Sequence, residues 1–286
     1  MSLTLHEAMV IVLRESGGVM FSEDLARAIA ARDLYRRRDG EHAPPGQLRA
    51  RAVKYPHILE ASDDGSGRIA LVPASEQQTR NLAVYCADVG SVSAGRFGWA
   101  RSKPATGFEE TYDTSMPSDL VDAVCAELHA GNPVALGFEC PLFVPVPRDQ
   151  TALGRARVGE GNRSWSAGAG TGALATGLVQ AAWVLESIRR HHPDEQLWFD
   201  YASFSATGSG LLVWEAFVTS TAKGSSHIDD AAIAIDAFVS ALSESRRVSA
   251  VTAERPLSLI GAAAIWAGWS TDDDLLHASP LVIRAT

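Results

Sequence analysis

The sequence has little cysteine, no long apolar run and too few basic residues to balance its acids, and each shortage excludes something. Three cysteines, Cys86, Cys125 and Cys140, occur in 286 residues. They lack the paired spacing of a zinc site, and an odd, scattered set reads as reduced core thiols in a cytoplasmic protein. No apolar run reaches the ~20 residues that a bilayer-spanning helix needs, so no membrane partner is expected. The start, Met1-Ser2-Leu3-Thr4-Leu5-His6-Glu7, has no basic segment ahead of an apolar core, so no secretory signal is expected. The 25 Lys+Arg against 34 Asp+Glu give a formal net charge of −9.

That deficit is unevenly spread. Residues 1–80 hold 11 basic and 11 acidic side chains, and the remainder, 14 basic against 23 acidic, carries all of it. Nucleic-acid binding by the acidic part would need bound metal or a local basic surface. A hydrophobic fraction of 46% with 21% charged residues is ordinary for a globular protein, and the length allows two domains or one large one.

Within the acidic part, carboxylates stand where apolar elements end. Asp88 closes the run 82–87, Glu139 closes 134–138, and Glu215 follows Leu211-Leu212-Val213-Trp214. Asp229 and Asp230 open a helical stretch from Ala231 to Leu242. Burying an unpaired charge costs several kcal/mol, so such acids are expected to converge on something positive, foremost a divalent metal. Simpler roles exist for some. Asp230 would suit a helix N-terminus with no metal, and Glu215 would suit a surface pair with a base.

Residues 1–74 are expected to form one domain, 75–81 a linker and 82–286 a second domain. In the first, Leu5, Ala8, Met9, Val12 and Leu13 recur at helical spacing until Gly17-Gly18. Ser22 is placed as the N-cap of a second helix, and Pro44-Pro45 start a third, ending near Lys54. Segments 57–59 and 68–72 read as two short strands. Three helices and a hairpin describe a winged helix-turn-helix. Its third helix would offer Gln47, Arg49, Arg51 and Lys54 to base edges and phosphates, with Arg36, Arg37 and Arg38 beside it. The zero net charge keeps a protein-interaction module as an alternative. The segments Thr4-Leu5-His6-Glu7-Ala8, Leu34 to Gly40 and Arg49 to His57 resemble the HARE-type winged helix-turn-helix. That resemblance implies a DNA-binding or DNA-sensing module.

In the second domain, strands are expected at 82–88, 97–100, 134–139, 197–201, 211–218 and 281–284. Helices are expected at 118–130, 173–191, 228–243 and 258–267. Alternating strands and helices mean an α/β sheet covered by helices, whose functional groups gather at strand carboxyl ends. The Gly/Arg-rich loop 145–169 carries Arg155, Arg157, Arg163 and Trp165, suited to holding a nucleic-acid backbone and stacking a base. It reads equally well as an ordinary flexible insertion. Asp88-Val89-Gly90, Gly98-Trp99, Glu139-Cys140-Pro141-Leu142, Trp214-Glu215-Ala216-Phe217 and His227-Ile228-Asp229-Asp230 resemble the ribonuclease H-like superfamily. More narrowly, they resemble a family of nucleases predicted within it.

The resemblance implies a ribonuclease H-like mixed sheet and two-metal phosphodiester hydrolysis, with Mg²⁺ or Mn²⁺ ions about 3.5–4 Å apart. Asp88 would bridge both ions, Glu139 and one of Asp229 and Asp230 would complete the coordination, and Glu215 would join one of them. Lys223 would contact the scissile phosphate or stand as a surface lysine. The expected partner is nucleic acid, foremost DNA. Two other classes compete: a non-enzymatic DNA-binding regulator on a degenerate scaffold, and a phosphotransfer fold of similar topology.

Overall fold

The computed structural model describes residues 3–37, 39–55, 58–62, 66–72, 81–104, 108–112, 116–161, 164–218, 222–243 and 249–286. The chain divides into two units, Met1–Arg80 and Asn81–Thr286. The expected linker, apart from Asn81, lies outside the described residues, as does Arg38.

The first unit contains helices α1 (Leu5–Glu15), α2 (Ser22–Ala31) and α3 (Pro45–Lys54) with strands β1 (Val19–Phe21), β2 (Leu59–Ala61) and β3 (Arg68–Leu71). The α1 stripe is buried as its spacing predicts, and the Glu7 carboxylate accepts the Thr4 backbone N–H at 2.7 Å to close its first turn. Two details depart from expectation. Ser22 is the first helical residue rather than the cap. The hairpin also gains β1, antiparallel to β3, so the sheet runs β1-β3-β2. Three residues after a Gly-Gly pair carry too little periodicity to announce a strand.

The second unit is mixed α/β. Its strands are β4 (Ala83–Asp88), β5 (Gly98–Lys103), β6 (Phe108–Tyr112), β7 (Val134–Phe138), β8 (Phe143–Pro145), β9 (Leu197–Trp198), β10 (Leu211–Val218), β11 (Pro256–Ser258) and β12 (Leu281–Ala285). Its helices are α4 (Pro117–His129), α5 (Ala169–His191), α6 (Tyr201–Thr207), α7 (His227–Ser243) and α8 (Leu259–Trp266). The main sheet runs β6-β5-β4-β7-β10-β12, with β9 also pairing β10. Strands β4, β5 and β6 form an antiparallel meander, while β7 is parallel to β4, and β10 to both β7 and β12. Residues 197–201 are not one strand. After β9, Asp200 accepts the Ser203 N–H at 2.7 Å and caps α6, so the capping geometry overrides the aromatic-rich composition.

Pleat alternation divides two apolar layers. Ala83, Tyr85 and Ala87 pack with Val134, Leu136, Phe138, Leu211 and Val213 on one face. Val84, Cys86, Ala135, Leu212, Trp214 and Ala216 pack with the α7 residues Ala231, Ala234, Ile235 and Phe238 on the other. Two glycines allow this closeness. A Cβ on Gly98 would lie 2.8 Å from the His227 carbonyl carbon, so β5 needs glycine where α7 begins. A Cβ on Gly137 would lie 2.5 Å from the Trp214 ring. No helix among the described residues is long and apolar enough to cross a membrane.

Gly137→Ala is expected to destabilise the chain by about 1–3 kcal/mol, the usual cost of overpacking, read as a lower urea midpoint. Unchanged stability would show that the Trp214 ring yields freely.

Candidate metal centre

Strand β4 and strand β7 are neighbours, and their register pairs Ala87 with Phe138. Asp88 and Glu139 therefore come next, side by side, at the same carboxyl end. The Glu139 N–H still bonds the Ala87 carbonyl at 2.8 Å, so the ladder extends to the acid. Alternation turns both side chains to the face that α7 covers. Asp230 enters from the first turn of α7. One carboxylate oxygen from each of Asp88, Glu139 and Asp230 lies within 4.8 Å of the others.

One helical turn decides between the adjacent aspartates. Asp230 is 6% exposed and faces the cluster. Asp229 points away, accepting Ser225 N–H at 3.1 Å, and it serves the turn before α7. Of the two alternatives left open by the sequence, Asp230 is therefore the one brought to the cluster and Asp229 is not, because 100° of rotation per residue separates them. Lys223 stands inside the cluster, its Nζ 2.7 Å from Asp230 and 3.1 Å from Glu139. The neighbouring Gly224 N–H donates to the second Asp230 oxygen at 2.7 Å. His227 Nδ1 pairs with Asp88 Oδ2. Sequence reasoning gave His227 no role, although it lies three residues before Asp230 and so on the same helix face.

Three carboxylates share one ammonium. Burial, offset by Lys223 and reinforced by Asp230, pushes the Asp88 carboxyl from its ordinary 3.8 up to about 7. Burial, then the Asp88 charge, pushes Glu139 from 4.5 to about 8. For Lys223, burial alone would lower the ammonium, but Asp230 and Glu139 hold it above its ordinary value. Glu139 Oε2 is buried without a hydrogen-bond partner. An orphaned acceptor among oxygen-only donors fits a hard divalent cation such as Mg²⁺ or Mn²⁺. A cavity of about 700 Å³ opens over these groups.

Glu215 belongs elsewhere. It pairs with Phe138 across β10 and β7, on the face opposite the three carboxylates. There Arg157 grips it at 2.6 and 2.8 Å, and the Leu142 N–H donates at 2.9 Å. The same guanidinium holds Glu160 at 3.0 Å. Its expected place as a metal ligand is corrected by the pleat: an odd-numbered residue on β10 cannot share the face of Trp214. Arg157 is corrected with it, since at 3% exposure and paired with two carboxylates it has no face left for nucleic acid.

Residues 157–160 around it are not a loose insertion. Val158 and Thr252 exchange backbone hydrogen bonds at 3.0 and 2.9 Å, and a Cβ on Gly159 would lie 2.2 Å from the Ala250 oxygen. Arg155 is exposed, and Arg163 lies outside the described residues.

On α3, Gln47, Arg51 and Lys54 fall at i, i+4 and i+7 and share a stripe, with Arg51 stacked on Tyr55. Arg49 lies on the other side of the buried Leu48–Ala52 stripe, so one helix face does not present all four. Arg36 and Arg37 are exposed but engaged by Asp33 and Asp39 at 2.7 and 2.8 Å.

Comparison of the chain with protein-family models, curated proteins and solved structures finds no match.

Raised carboxyl values mean that the folded state holds protons which the unfolded chain releases. That stability is present at low pH and is lost as pH rises through about 7 and 8. In chelator, Tm is expected to fall between pH 5 and pH 8.5, and Asp88→Asn with Glu139→Gln should flatten the slope. Mn²⁺ should raise Tm more at the alkaline end. A pH-independent Tm in chelator would contradict this charge balance.

Proposed function

We propose that the Asn81–Thr286 unit is a metal-dependent nuclease, hydrolysing phosphodiester bonds with two divalent cations in a ribonuclease H-like arrangement. One observation carries the reading: Asp88, Glu139 and Asp230 converge within 4.8 Å from two parallel strand ends and a helix. The sheet order supports it, because an antiparallel three-stranded meander followed by parallel strands sets Asp88 at the centre. Mg²⁺ or Mn²⁺ would be held by Asp88, Glu139 and Asp230. When bound, the cations supply Lewis-acid polarisation of the phosphodiester and acidify a water. Asp88 is oriented by His227 and Asp230 by the Gly224 N–H, so both oxygens arrive pre-aimed. Lys223 balances part of the carboxylate charge and can turn to a phosphate oxygen once a cation takes its place.

The Met1–Arg80 unit is proposed as a winged helix-turn-helix that delivers the nuclease to DNA, with Gln47, Arg51 and Lys54 on its recognition stripe. The surface pairs of Arg36 and Arg37 are weak enough to exchange for phosphate. Restriction or defence against mobile elements would suit such a pairing.

One observation favours a metal-free scaffold: the Lys223 ammonium already bridges Glu139 and Asp230. Calorimetric titration with Mn²⁺ separates the readings. Binding that is lost in Asp88→Asn and kept in Glu215→Gln is expected, together with cleavage of nucleic acid abolished by Asp88→Ala. Absence of Mn²⁺ binding, or full cleavage by Asp88→Ala, would remove the nuclease assignment and leave the scaffold.

For the first unit, Arg51→Glu with Lys54→Glu is expected to weaken duplex binding and reduce the salt slope by about 2. Unchanged binding would favour a protein-interaction module.

A further inference from the structure

The cavity above the carboxylates has features that the acid cluster does not use. Its size falls in the range of pockets that hold one small ligand, roughly 300–1,000 Å³. Two of its lining residues, Arg96 and Trp165, bear on what that ligand is.

Arg96 was not expected at the site. It is exposed, lines the cavity and makes no ion pair among the described residues, whereas Lys223 is engaged by two carboxylates. Its backbone is held firmly. The Arg96 N–H bonds the Ser91 carbonyl at 2.9 Å, and a Cβ on Gly90 would lie 1.9 Å from the Arg96 oxygen. Gln180 of α5 bonds the Gly90 carbonyl from the other side. A guanidinium with its donors free, set at the rim of an acidic cavity, is suited to a phosphate.

Trp165 sits on the stapled loop. Its indole N–H is tied to the Arg155 carbonyl at 3.0 Å, which leaves the half-buried ring to offer its apolar surface to the cavity. Arg157, locked to Glu215 and Glu160, fixes the base of that loop. An aromatic surface of this kind stacks a nucleobase without regard to sequence.

We infer that the cavity is a single-nucleotide pocket, with Arg96 taking the phosphate and Trp165 the base, so that the site receives an unpaired or extruded nucleotide rather than a phosphate within intact duplex. The inference rests on the phosphodiester reading of the same site.

Calorimetric titration of the full chain with dTMP and with thymidine, in Mn²⁺, tests it. Arg96→Ala should weaken dTMP about ten-fold and leave thymidine unchanged, and Arg96→Lys should recover part of the loss. Trp165→Ala should weaken both ligands about ten-fold. In cleavage assays, single strands should be preferred over blunt duplex, and Trp165→Ala should reduce that preference through KM. If Mn²⁺ binds and DNA is cut but dTMP does not bind, or binds all variants equally, the pocket falls and the nuclease stands. If dTMP binds as described while Mn²⁺ does not, the nuclease falls and the pocket stands.

Discussion

The structure of the second unit turns on a charge imbalance: three carboxylates at one end of a buried sheet, and one ammonium among them. Parallel pairing of β4 with β7 makes the imbalance unavoidable, because the register leaves Asp88 and Glu139 next to each other. Neither can turn aside, since alternation commits both to the face that α7 covers. That helix then adds a third carboxylate, Asp230, together with His227 against Asp88. Burying like charges together is costly, and the folded chain meets the cost by retaining protons, by the Lys223 bridge and by the His227 contact. A divalent cation would remove the same cost more completely, which connects the site's strain to the chemistry proposed for it.

A second charged group lies on the opposite face. Arg157, Glu160 and Glu215 are all at most 3% exposed, and the guanidinium serves both carboxylates. Removing Arg157 would leave two buried carboxylates without their cation, where a broken buried pair typically costs about 3–5 kcal/mol. The arrangement ties a glycine-rich loop to the middle of the sheet. It ties down residues 157–160 of what composition suggests is a flexible insertion, beside the cavity that Trp165 lines. The two acidic groups therefore divide the work, one facing the cavity's chemistry and the other holding its side.

The apolar runs were legible as strands, and the stripes of α1, α4 and α7 as helices, because burial imposes period two or 3.6 on the sequence itself. Asp88 and Glu139 were legible as a pair, since a carboxylate after an apolar central strand has few other uses. Asp229 and Asp230 were not separable, because a helix start tolerates acid at either position and only the rotation about the α7 axis chooses. Glu215 was misplaced for a related reason. The expected strand 211–218 is β10, but only its pairing with β7 shows which face carries the Asp88–Glu139 pair, and Glu215 lies on the other.

Residue spacing alone determined that this chain has a small, largely helical first unit of zero net charge and an α/β second unit with acids at strand ends. Those properties follow from local periodicity and from the cost of burying charge, both of which each segment carries with it. Tertiary structure alone decided which acids meet, that Lys223 and His227 stand among them, that Arg157 is a structural cation, and that Arg96 and Trp165 share a cavity. Each depends on strand register, pleat parity and helix rotation, which bring together residues as far apart as 58 and 139 positions and leave no mark in either segment.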